Sequence, residues 1–175
     1  MESLSLNCWN IKKQTPRSQN CFKGEVALKI EHSYTFKGIP REVLWRTIQD
    51  KEVLKRSLPG CKSFVEVEDN VFESELGISI GPVKGVFTGE VRQVDQKAPE
   101  FYRLLVTGKG KPGEIDADAE MALIETEEGT VLECRADVKL TGILASVGQR
   151  VMSGVAKVVI GQFFKDIDKE AKQLV

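Results

Sequence analysis

The stretch ISIGPVKGVFTGEV, Ile78–Val91, sets Gly81, Gly85 and Gly89 at four-residue spacing around a lysine. A phosphate-gripping loop of the G-x-x-x-x-G-K-[ST] type sits between a strand and a helix. Here Lys84 precedes its glycine, and extended patterns lie on both sides. A membrane G-x-x-x-G face needs about 20 apolar residues around it, whereas Lys84, Glu90 and Arg92 interrupt this segment. With a period of two, Gly85 and Gly89 join Val83, Phe87 and Val91 on the inward face of a strand. Glycine inside a strand marks a bend or a close approach. Two of them on one face imply either curvature of a sheet or empty space beneath it.

The same period extends in both directions. Upstream, VFESELGISI puts Phe72, Ser74, Leu76, Ile78 and Ile80 on one face, and Gly81-Pro82 turns the chain into the glycine strand. KSFVEVE precedes it across a turn at Asp69-Asn70; FYRLLVTG, IDADAEMAL and VLECRADVKL follow. Near the start, Val26, Leu28, Ile30, His32, Tyr34 and Phe36 alternate with polar residues. Between that strand and the rest, GIPREVLWRTIQD reads as a helix with Pro40 at its first position. Asp50 caps a second short helix, KEVLKRSL, which Pro59-Gly60 ends.

Gly142 to Leu174 is periodic at helical spacing. Leu144, Val147, Val151, Val155, Val158, Phe163, Ile167 and Leu174 form the expected buried stripe, opposite Arg150, Lys157, Lys165 and Asp168. Unbroken, this helix would run about 50 Å. Gly148, Gly154 and Gly161 each cost it about 1 kcal/mol against alanine; close packing is the expected reason, with a hinged lid as the alternative. Only a concave sheet is large enough to cover such a stripe. The fold class is therefore α+β: a curved seven-stranded antiparallel sheet wrapped around a long C-terminal helix, with two short helices after the first strand.

At 175 residues the chain suits one domain, assigned to 25–175. Residues 1–24 are polar and aperiodic, and read as a loosely ordered extension or an artefact of the start site. A net charge of −1 with no long basic run argues against nucleic acid. No run approaches 18 apolar residues, and the N-terminus does not read as a secretory signal. Cys8, Cys21, Cys61 and Cys134 form no C-x-x-C pair and His32 is the single histidine, so no zinc spacing exists and no metal or cofactor is expected. The default compartment is the reducing cytoplasm.

Two constellations carry potential chemistry. Glu114, Asp116, Asp118 and Glu120 share one strand face, but a flat ladder does not converge on a cation. A solvated face opposite Arg135 and Lys139 is the expected reading. His32, on an inward alternation, suits either a buried imidazole or an acid/base. Cys134 is expected to be a small core residue.

LPGC at 58–61, GPVKGVFTGEV at 81–91 and VGQRVMSGVAKVVIGQFF at 147–164 resemble the CoxG family, named for the G subunit of carbon-monoxide dehydrogenase. That family is part of the START-like (Bet v-like, SRPBCC) helix-grip superfamily, and the resemblance covers roughly Lys29 to Lys169. It implies a hydrophobic cavity between sheet and helix, holding a lipid- or quinone-like molecule. It also implies an accessory role beside a molybdenum-containing carbon-monoxide dehydrogenase or related hydroxylase, with recruitment to the membrane. No catalytic residues carry over. Where members often have a G-F-x-K-G passage, this chain has KPGEIDADAE. Many members also continue into a membrane-binding tail, whereas this chain stops at Val175, so any membrane association is expected to be peripheral.

The leading expectation is a non-enzymatic binder of a hydrophobic small molecule, its cavity lined by His32, Tyr34, Trp45, Phe72, Leu76, Phe87, Tyr102, Met121, Val151 and Val155. The alternatives are a recruitment module without a working pocket, and an enzyme using His32 as acid/base.

Overall fold

Period-two alternation builds seven strands, and the computed structural model, which describes residues 25–175, joins them in one sheet. The elements are β1 (Val26–Lys37), α1 (Arg41–Gln49), α2 (Lys51–Ser57), β2 (Cys61–Glu68), β3 (Val71–Ile80), β4 (Val83–Lys97), β5 (Phe101–Gly110), β6 (Gly113–Thr126), β7 (Gly129–Leu140), α3 (Ile143–Ser146) and α4 (Gln149–Lys172). The order across the sheet is β1-β7-β6-β5-β4-β3-β2, and every pair is antiparallel. Strands β2 to β7 follow one another as short turns dictate. The α1–α2 pair carries the chain from the β1 edge to the β2 edge. This is the expected helix-grip architecture. The extension read at residues 1–24 lies outside the described residues.

Asp50 caps α2 as anticipated, accepting from the backbone N–H groups of Glu52 and Val53 at 2.9 and 3.2 Å. Pro40 stands one position earlier than expected, extended just before α1.

The C-terminal segment corrects the sequence reading in three respects. The helix is broken: Gly148, with φ of 96°, separates α3 from α4, a conformation cheap only for glycine. With 24 residues, α4 is about 36 Å long. The buried stripe is Met152, Phe164, Ile167, Asp168 and Ala171, whereas Val151 and Val158 are 45% and 56% exposed. The valines share one side of this helix, but apolar residues as a whole spread over about two-thirds of its circumference, so apolar periodicity left its rotation open. Finally, Gly148, Gly154 and Gly161 are not close-packing sites, since an added Cβ would meet nothing within 4 Å at any of them.

The core divides into two clusters. Phe36, Leu44, Phe64, Phe72, Tyr102 and Phe164 anchor one beneath α1, α2 and the C-terminal half of α4. Leu28, Ile30, Phe87, Leu140, Leu144 and Met152 anchor the other at its N-terminal half. The glycine question is settled by contact. A Cβ on Gly89 would fall 1.9 Å from the Thr107 carbonyl oxygen, and one on Gly85 3.1 Å from the Pro112 ring. Neither faces empty space; both mark close approaches in a bent sheet.

Candidate functional site

Cross-strand register arranges the inner face in rows. Ser74, Gly89 and Gly108 stand opposite one another on β3, β4 and β5. The next row runs Phe72, Val91, Val106, Ala117 and Val138, and the one after it Gln93, Leu104, Ala119 and Ala136. Side chains along the middle are therefore small or aliphatic. Gly108 is the open point: an added Cβ there would meet only the Cβ of Ile115, at 4.0 Å. Leu76, Ile78, Val91, Leu104 and Val106 all face inward yet remain only half-buried.

The last helix does not close this space. It packs most closely on β1, with α1 and α2 next. Two contacts fix its rotation: Glu170 pairs with Arg56 of α2 at 2.8 Å, while Asp168 accepts from the Tyr34 hydroxyl of β1 at 3.4 Å. At 100° per residue, Val155 and Val159 fall within about 60° of Glu170, on the side away from β1. Both are half-buried, and Val151 and Val158 are exposed beyond them. Half-buried aliphatic side chains therefore face the region between α4 and β3–β5, termed the trough below. It lies between the two core clusters.

Better-defined depressions lie elsewhere. A groove of about 490 Å³ crosses the outer face over β2–β5, lined by Glu73, Glu75, Thr88, Glu90 and Lys109 among others. A smaller one of about 220 Å³ lies over β1 and β7 beside His32 and Cys134. Both of these depressions lie away from the half-buried aliphatic surface between α4 and β3–β5.

The residues anticipated as lining fall into separate groups. Phe72, Tyr102 and Met121 are buried in the first cluster, with Trp45 edge-on to Tyr102 at 5.6 Å, and Phe87 is buried in the second. Leu76 and Val155 lie at the trough. His32 and Tyr34 sit at the β1 end, their rings 5.5 and 6.1 Å from Phe164. Val151 points outward, 45% exposed. Sequence reasoning missed Gly108, Val91, Leu104 and Val106. The first closes the strand read as FYRLLVTG, with no side chain to mark it as lining.

Polar groups surround the trough rather than enter it. Lys172 Nζ donates to Asp168 Oδ2 at 2.6 Å, beside the Tyr34 hydroxyl. Partial burial and the neighbouring Asp168 push the Tyr34 hydroxyl upward, and the hydrogen bond to Asp168 raises Lys172. Burial pushes the Cys134 thiol up to about 11, consistent with a core residue and not a nucleophile. On the outer face the acidic ladder is neutralised mainly from β5. Arg103 grips Asp118 with two hydrogen bonds, one of 2.6 Å from Nε, and holds that carboxyl below its ordinary range. Lys109 stands 3.8 Å from Glu114. Among the described residues, no acidic, histidine or cysteine cluster is arranged to hold a metal ion.

The family model for CoxG, the G subunit of carbon monoxide dehydrogenase, matches residues 38–172. The chain belongs to the CoxG family. Among solved structures, a conserved protein from Geobacillus kaustophilus is 32% identical with a TM-score of 0.75, over 86% of this chain and 95% of that one. A START superfamily protein from Mycobacterium smegmatis, 14% identical, aligns with a TM-score of 0.61 over 87% of this chain and 99% of that one. The Zhui aromatase/cyclase from Streptomyces sp. R1128, 10% identical, gives 0.63 over 85% and 95%. At those identities the last two show a common fold. No curated protein matches the chain. GPVKGVFTGEV forms the β3–β4 turn and the first nine residues of β4, and VGQRVMSG spans the Gly148 break and the start of α4.

Proposed function

We propose that this CoxG-family protein binds an uncharged, largely aliphatic small molecule in the trough between α4 and β3–β5. The observation that carries this reading is the gap between the two core clusters. There, inward Leu76, Val91, Leu104 and Val106 stay half-solvated around the open backbone of Gly108. Leaving aliphatic surface wet forgoes about 25 cal/mol per Å², and an apolar ligand recovers it. Family membership supports a lipid- or quinone-like ligand, and a role as accessory to a molybdenum-containing carbon-monoxide dehydrogenase or related hydroxylase. Among the described residues, no helix is long and apolar enough to cross a membrane.

Native beside denaturing mass spectrometry tests the pocket directly. A discrete adduct that extracts into organic solvent and is absent from Gly108→Leu supports the reading. An adduct retained by that variant moves the site elsewhere; no adduct and no thermal shift with quinones or lipids sinks it. Pull-down with the components of a molybdenum hydroxylase tests the partnership separately.

A further inference from the structure

The two edges of the sheet are treated differently. β2 carries two register irregularities, between Cys61 and Ser63 and between Glu66 and Glu68. Bulges of this kind protect an edge from further pairing. At the other edge, β1 keeps unbroken register with β7 for twelve residues, Val26 to Lys37, without proline. No described strand covers its far side. The hydrogen bond from Gln149 Nε2 to the Ala27 carbonyl, at 2.8 Å, shows which groups face that side. Ala27 turns its carbonyl away from β7, and alternate residues of a regular strand share one direction. Lys29, Glu31, Ser33 and Thr35 therefore present their peptide groups outward. All four side chains are exposed.

We propose that the β1 edge pairs antiparallel with β1 of a second copy of this chain, about a two-fold axis at Ile30. Charge selects the register. Centred on Ile30, Lys29 faces Glu31 of the second copy, and symmetry repeats the pair. Shifting by two residues in strand-to-strand register sets Glu31 against Glu31, or Lys29 against Lys29, and like charges directly opposite are unfavourable. The favoured register also extends an existing line of charge, because Lys29 lies opposite Asp137 and Glu31 opposite Arg135 on β7. Across four strands the sequence becomes Asp137, Lys29, Glu31, Arg135, alternating in sign. The dimer would merge two seven-stranded sheets into one and remove both exposed β1 edges.

Sedimentation equilibrium of the full chain across micromolar to millimolar concentration tests this. A concentration-dependent dimer is expected. Lys29→Glu or Glu31→Lys alone should weaken it about tenfold or more, since each converts two attractive pairs into repulsive ones. The double swap Lys29→Glu/Glu31→Lys restores the pairs across the two-fold axis but sets like charges against Asp137 and Arg135 within each copy, so it is made together with Asp137→Asn and Arg135→Gln. That fourfold variant should restore the dimer, which separates a charge effect from damaged folding. Ser33→Pro removes an outward N–H that β7 does not use, and should leave a folded monomer by circular dichroism. A wild-type chain that stays monomeric at every concentration overturns the proposal. So does a dimer indifferent to both reversals and to Ser33→Pro, or a fourfold variant, Lys29→Glu/Glu31→Lys with Asp137→Asn/Arg135→Gln, that fails to recover it.

Discussion

Gly89 and Gly108 stand opposite each other on β4 and β5, yet a methyl group would meet different fates at the two positions. Gly89→Ala drives Cβ into the Thr107 carbonyl, so a loss of about 2–3 kcal/mol is expected, read as a fall in Tm of roughly 5–10 °C. Gly108→Ala should change Tm by no more than about 2 °C, because its Cβ enters open space. Both glycines follow the inward alternation in the sequence. What separates them is the local coil of the sheet, which depends on strands far apart in the chain and leaves no trace in either residue's neighbours. Asp118 supplies a pH signature at the same scale. Arg103 depresses its folded-state pKa, so the pair's small stabilisation is present above the ordinary aspartate value of 3.8 and is lost as pH falls through the depressed one. Carboxyl NMR should show Asp118 titrating below 3.8 in the native protein and returning to the ordinary range in Arg103→Gln.

Among the elements, α2 is the one whose start was fully legible. An aspartate before Lys51-Glu52-Val53 specifies a cap by chemistry alone, and Asp50→Ala should cost about 1 kcal/mol, seen as a Tm lower by 2–4 °C. The strands were legible too, because a half-buried strand has to alternate. α4 was legible in existence but not in rotation. Its buried face combines Asp168 with Met152, Phe164 and Ile167, and a buried carboxylate defeats any reading that assigns charge to solvent. Tyr34 and Lys172 both reach the Asp168 Oδ2, while Oδ1 is buried without a hydrogen-bond partner among the described residues. Removing the cation with Lys172→Met leaves Oδ2 with the Tyr34 hydroxyl alone, and chemical denaturation should register a lower midpoint than in the wild type.

On the scale of the molecule, the sequence pattern reached the architecture because seven strands and one long amphipathic segment admit few packings. It did not reach the lining of the trough. The aromatic residues that looked most suited to holding a ligand instead fill the solid cluster under α1 and α2, while the trough is made from small and aliphatic positions with no chemical signature. A ligand bound there at a hundredfold excess over its Kd should raise stability by about 2.7 kcal/mol, and Gly108→Leu should abolish that increment while leaving the ligand-free Tm nearly unchanged. The break at Gly148 has a consequence for how such a chain tolerates change in length. Because the left-handed glycine uncouples α3 from α4, a residue inserted beside Gly148, between the two helices, is absorbed without turning α4. One inserted just after Gln149 would rotate every later side chain by about 100° relative to the first turn, carrying Asp168 away from Tyr34 and Glu170 away from Arg56. The angular setting of the whole grip is thus counted from a single point, and only downstream of it does chain length become geometry.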